Sequence, residues 1–192
     1  MPCLRLAAPI VLALALGAVP ALAQNSPPAL GSPSPLKPGD AFGEEVTLPE
    51  RTIVYLKGSS KWDAAFDTLV DAFKSLNEYL DKAGIKPAGP SMSIYTQTDD
   101  AGFSFEAAVP IAAAPAEPPK GDIAIGQAPS GKALKFVHRG AYDAMDSTYE
   151  AITNYLDDKH LDAKELFIEE YVTDPIKTKS DDLVINVYVP VK

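Results

Sequence analysis

The feature that most constrains this chain is that its second half repeats its first. Tyr79-Leu80-Asp81 returns as Tyr155-Leu156-Asp157, and Tyr95 as Tyr171, both at an offset of 76. Val109-Pro110 returns as Val189-Pro190 at an offset of 80, and Lys57-Gly58 as Arg139-Gly140 at 82. Each half reads strand, basic-Gly turn, helix, short loop, strand, and a last strand ending in Val-Pro. A unit of roughly 60 to 70 residues with one helix buries too little surface to be stable by itself, so the two copies must share a core. The expected fold is α+β: two pseudo-symmetric βαββ modules, at about 52–111 and about 121–192, forming an antiparallel sheet with two helices.

Hydrophobic spacing locates the elements. Trp62, Phe66, Leu69, Phe73, Leu76 and Leu80 recur at intervals of three and four, with Asp63, Asp67, Asp71, Lys74 and Glu78 on the opposite face. Tyr142, Met145, Tyr149, Ile152 and Leu156 repeat the pattern, with Asp143, Asp146, Glu150 and Asn154 outward. Each stripe predicts a helix lying on a sheet. Alternating β-branched and aromatic runs predict strands at about 52–57, 91–98, 103–109, 122–126, 133–138, 165–173 and 183–189.

Ahead of the repeat, Arg5 precedes an apolar run from Leu6 to Val19, and Ala21-Leu22-Ala23 supplies the small-x-small pattern of a cleavage site. Residues 1–23 are therefore expected to be a secretory signal cleaved after Ala23, with a periplasmic product and no membrane span in the mature chain. Residues 24–50 carry six prolines and one aromatic side chain, Phe42, which predicts a Pro-rich linker. The folded domain is then expected over 51–192. Cys3, the single cysteine, falls within the signal, so disulfide and thiolate chemistry are not expected. The net charge of −9 argues against nucleic acid, whose phosphates call for a basic surface.

One motif loses its usual meaning in context. Gly126 to Lys132 copies a phosphate-binding loop, but Ala133 stands where a magnesium-binding Ser or Thr is needed, and a strand follows instead of a helix. Pro129-Ser130-Gly131 is instead expected to be a hairpin turn. With His138 and His160 as the only histidines, neither a metal nor another cofactor is expected. His138 is expected to set the turn into the second helix. There is no Gly-x-Ser-x-Gly elbow and no Cys-His pair for acyl transfer.

Val137-His138-Arg139-Gly140-Ala141-Tyr142-Asp143, Glu169-Glu170-Tyr171-Val172-Thr173-Asp174-Pro175 and Val187-Tyr188-Val189-Pro190-Val191 together resemble the GyrI-like small-molecule-binding family, known also as effector-binding domains of multidrug-sensing transcription regulators. The resemblance spans 52–192. It implies a cleft between the two helices that takes hydrophobic or cationic amphipathic compounds among aromatic rings, with a buried carboxylate. The family's motif glutamate falls on Glu169; Tyr171 and Thr173 share its strand face by period two. Glu106 falls on another acidic position of the family. Tyr95, Tyr142, Tyr171 and Trp62 are the candidate aromatic walls. Two other readings follow from the same residues: a cleft hydrolase using Glu169 and Tyr171 for acid–base work, and an acidic envelope protein that docks a basic partner. The oligomeric state is left open.

Overall fold

A computed structural model describes residues 36–192. The expected signal and residues 24–35 of the Pro-rich stretch lie outside the described residues. The strands are β1 (Phe42–Leu48), β2 (Thr52–Lys61), β3 (Met92–Thr98), β4 (Gly102–Pro110), β5 (Ile123–Gln127), β6 (Gly131–Arg139), β7 (Phe167–Tyr171) and β8 (Val184–Pro190). Helix α1 (Ala65–Ala83) and helix α2 (Met145–Lys159) each follow a one-turn 3₁₀ segment, Trp62–Ala64 and Tyr142–Ala144. All neighbours in the sheet are antiparallel, in the order β1-β6-β8-β7-β3-β4-β2-β5. The two expected modules are β2-α1-β3-β4 and β6-α2-β7-β8, and they meet where β3 pairs with β7.

The changing repeat offset has a structural cause. Helix α1 has 19 residues and α2 has 15, a difference of about one turn, which accounts for four of the six residues by which the offset falls from 82 to 76 and leaves the buried face in register. A longer connection between β7 and β8 then brings the offset back to 80. Leu69, Phe73, Leu76 and Leu80 of α1 are buried against β2 and β4, and Ile152 of α2 is buried over β6.

Two expectations are corrected. The linker does not extend to residue 50, because Phe42–Leu48 is a strand paired with β6. Asp40 anchors its start through a two-pronged ion pair with Arg139 (2.6 and 2.7 Å), and Phe42 packs edge-on against Phe136 and Tyr155. A register shift at Gly43 (φ +78°) breaks the alternation by which a strand is recognised. A Cβ at Gly43 would also strike the Tyr155 ring.

The second correction concerns 128–130, which do not form a hairpin turn. Strand β5 pairs with β2, whereas β6 pairs with β1. The register nonetheless runs on without a slip, from Leu48↔Gly131 to Thr52↔Gln127, with the Ala128 amide donating to the Arg51 carbonyl between them (2.9 Å). Thus β1-β2 and β5-β6 form one long two-stranded ribbon that links the outer strands of the two modules, and the sheet must curl to let it do so. The first repeat is one strand longer than expected, with β1 answering β5 of the second. Inside the curl, Leu48, Ile53, Met92, Ile94, Ala108, Ala128, Ala133, Ile168 and Tyr188 make a second buried cluster on the face away from the helices.

Local caps complete the helices. His138 Nε2–H donates to the Ala141 carbonyl (3.1 Å), and its Nδ1 accepts from the Thr148 hydroxyl (2.7 Å), which ties the end of β6 to α2 as expected. Burial holds this imidazole below its ordinary pKa, so it is neutral in that role. Both helices end in a left-handed residue: Gly84 (φ 67°) in the first copy and His160 (φ 53°) in the second. A Cβ is disfavoured there, so His160→Gly should stabilise the fold by about 1 kcal/mol in urea unfolding. A loss of stability would show that the exposed imidazole makes a contact worth more than the strain.

Candidate functional site

The site is built on the two central strands. On the helix-facing side of the sheet, period-two alternation presents Ser93 and Tyr95 from β3, and Phe167, Glu169 and Tyr171 from β7. Ser93 lies directly across from Glu169, and the repeat offset of 76 carries 93 onto 169, so the local twofold passes through this pair. The Ser93 hydroxyl is buried and has no hydrogen-bond partner among the described residues.

Glu169 is 1% exposed. Its Oε1 accepts from the Tyr149 hydroxyl (2.8 Å), and its Oε2 accepts from Tyr171 (2.9 Å) and, at longer range, Tyr142 (3.3 Å). The Tyr95 and Tyr142 hydroxyls are 2.6 Å apart, which extends the network by one donor. Burial pushes the Glu169 carboxyl above its ordinary pKa, and the tyrosine hydroxyls pull it partly back. Burial, and then the charge on Glu169, drive all four tyrosines well above 10, so they stay protonated and able to donate. No basic side chain bonds to Glu169 among the described residues. The carboxyl is held by hydrogen bonds alone, and no cation among the described residues offsets its charge when it is ionised.

Above this floor is a cleft of about 1230 Å³. Its walls are Trp62, Phe66, Tyr95, Tyr142, Tyr149 and Phe167, with the Phe66 and Tyr142 rings stacked at 4.9 Å. Its mouth carries Asp63 and Asp67 at the start of α1, Asp99 and Asp100 in the β3–β4 turn, and Asp143 and Asp146 at the start of α2. Among the described residues, no lysine, arginine or histidine lines it.

The expected residues divide accordingly. Glu169 is the floor, and Tyr95 and Tyr142 are walls. Trp62 stands at the lip, 46% exposed, its indole N–H donating to the Asp99 carbonyl (2.8 Å). Tyr171 is not a wall of this cleft; it lies behind Glu169, holds the carboxylate and packs on Phe73. Glu106 is misplaced by the family alignment. It is paired across the strands with Ile94 and so faces the side away from the helices, where Lys57 meets it at 3.3 Å. Its neighbours Phe105 and Ala107 take the helix-facing positions. Strand β7 ends at Tyr171, and the Thr173 hydroxyl beyond it only accepts from the Val184 amide (3.0 Å).

Sequence reasoning missed Phe66, Tyr149 and Phe167. Phe66 and Tyr149 lie in the same helix stripes as the candidate walls Trp62 and Tyr142, and the N-terminal end of each stripe overhangs the cleft. Phe167 had a readable signal, since it lies two residues before Glu169 on the same strand. Of the mouth aspartates, Asp63, Asp67, Asp143 and Asp146 read as solvent-facing residues of the two helices, and residue spacing carries no sign that both helices begin at one opening.

A duplicated, curled sheet carrying an aromatic cleft over a buried carboxylate defines a domain built to hold a small molecule. The chain belongs to the GyrI-like small molecule binding domain family, whose model matches residues 44–192 and so begins within β1. Among solved structures, the C-terminal domain of EcmrR aligns with a TM-score of 0.65 at 15% identity, over 78% of this chain and 96% of that one. Against EcmrR in a DNA complex the TM-score is 0.67 at 15% identity, over 78% of this chain and only 56% of that one. SAV2435, solved bound to tetraphenylphosphonium, aligns at 0.53 with 17% identity, over 78% and 93%. A hydrolase from Listeria innocua aligns at 0.52 with 11% identity, over 78% and 91%. These likenesses establish the fold. Among curated protein sequences, none matches this chain.

Proposed function

We propose that this domain captures hydrophobic cations, acting after export to the periplasm as a binding protein. One observation carries the ligand class: Glu169 is buried and closes an aromatic cleft, and among the described residues it is held only by tyrosine hydroxyls and no positive side chain lines the cleft. An onium or ammonium group over that floor would compensate the desolvated carboxylate and gain cation–π contact with the surrounding rings. The solved complex of SAV2435 with tetraphenylphosphonium supports the same class of guest. Both oxygens of Glu169 are engaged by tyrosines, and Tyr171 lies outside the cleft, which favours holding a guest over attacking it. Export rests on the pattern of Arg5, the apolar run and Ala21-Leu22-Ala23.

Trp62 is the only tryptophan and stands on the cleft lip, so its fluorescence reports occupancy directly. Titration of the domain should show saturable quenching by tetraphenylphosphonium, with triphenylphosphine oxide binding at least about tenfold more weakly. Equal affinities for the charged and neutral probes would reject the cation reading. Mass analysis of the protein recovered from the periplasmic fraction should find Gln24 at its N-terminus; an intact leader there would reject export by cleavage.

A further inference from the structure

Six aspartates stand at the mouth of the cleft. Helix N-termini carry partial positive charge, and both helices begin at this opening, so without compensation their dipoles would repel a cation. Asp63, Asp67, Asp143 and Asp146 reverse that sign, and none of the four forms an ion pair among the described residues. All four are exposed, whereas Glu169 is buried. The negative groups therefore stand at two levels, with the aromatic walls between them. The cleft, at about 1230 Å³, is also larger than the roughly 300 to 1,000 Å³ usual for one drug-sized guest.

We infer that the cleft selects guests with two separated positive charges joined by an apolar spacer, one charge over Glu169 and the other among the aspartates at the mouth. This rests on the cation reading and sharpens it. The spacer lies along Phe66, Tyr142 and Tyr149, which explains why an aromatic layer separates the two acidic levels.

The test compares decyltrimethylammonium with decamethonium, which share a ten-carbon chain and differ by one terminal cation, using Trp62 fluorescence. At low ionic strength decamethonium should bind about tenfold tighter, and its advantage should shrink in high salt, because the mouth charges are exposed and screened. In the variant combining Asp63→Asn, Asp67→Asn, Asp143→Asn and Asp146→Asn, the ratio of the two affinities should fall toward one. The salt series on the unaltered protein gives an answer even if that variant folds poorly. If decyltrimethylammonium binds as tightly as decamethonium, or if the ratio is insensitive to salt, the two-charge inference is overturned while the cation reading stands. If neither binds better than decanol, the cation reading fails and this inference with it.

Discussion

Glu169→Gln is expected to lower affinity for tetraphenylphosphonium about 100-fold while making the empty protein more stable. The affinity loss follows from removing one partner of a desolvated charge pair, for which truncation typically costs about 2 to 5 kcal/mol. The gain in stability follows from the direction of the carboxyl's shift. Its folded pKa lies above the unfolded value near 4.5, so its contribution is fully present below that pH and is lost as pH rises through the folded pKa. The ligand-free proteins should therefore melt alike in acid. Above pH 4.5 the variant should pull ahead, by about 1 kcal/mol once the wild-type carboxyl is ionised. Cation affinity of the wild type should climb over the same interval. Superimposable melting curves across the whole range would mean that the carboxyl is not held in a desolvated state, and the site as described would fall.

The second large effect belongs to the opposite face of the same strand. Glu170 points into the curl of the sheet, where Arg51 Nη1 donates to it at 2.9 Å, Tyr188 donates at 2.9 Å and Asn186 donates at 3.2 Å. The Tyr188 hydroxyl is pushed up to about 12, first by burial and then by the Glu170 charge. Arg51→Met should leave that carboxylate without its cation and destabilise the fold by about 2 kcal/mol. This is set below the 3 to 5 kcal/mol of a fully buried pair because Arg51 is partly exposed. Adding Glu170→Gln should recover most of the loss, since the double variant buries no unpaired charge. Urea unfolding of the three proteins measures this, and a double variant no better than Arg51→Met would rule out the pair as the cause. β7 thus carries two adjacent buried carboxylates with opposite provision: Glu170 has a resident cation, and Glu169 has none.

Much of this was readable from residue spacing. The α1 stripe from Leu69 to Leu80 and the alternation of β3, β4 and β8 follow from period, and the position of Glu169 follows from a family motif. The parts that were not readable share a physical cause. β1 is hidden by the shift at Gly43 and by surrounding prolines, and its role depends on pairing with β6, a contact about ninety residues away that no local pattern encodes. The ribbon has the same origin, because a Pro-Ser-Gly segment looks alike whether it turns a chain back or lets it run on. Glu106 shows the limit of motif transfer: an alignment gives a position, and the parity of the strand decides which face the side chain takes.

The pairing of Ser93 with Glu169 has a consequence for how such a receptor can be made. In an assembly of two identical half-chains, position 169 would face its own copy across the axis, and two carboxylates would oppose each other in a dry interior, an arrangement that like-charge repulsion disfavours. Joining the halves covalently lets the two sides of the axis diverge in sequence. Serine on one side permits a single acid on the other, so tandem fusion gives this domain an off-centre charge that perfect symmetry would forbid.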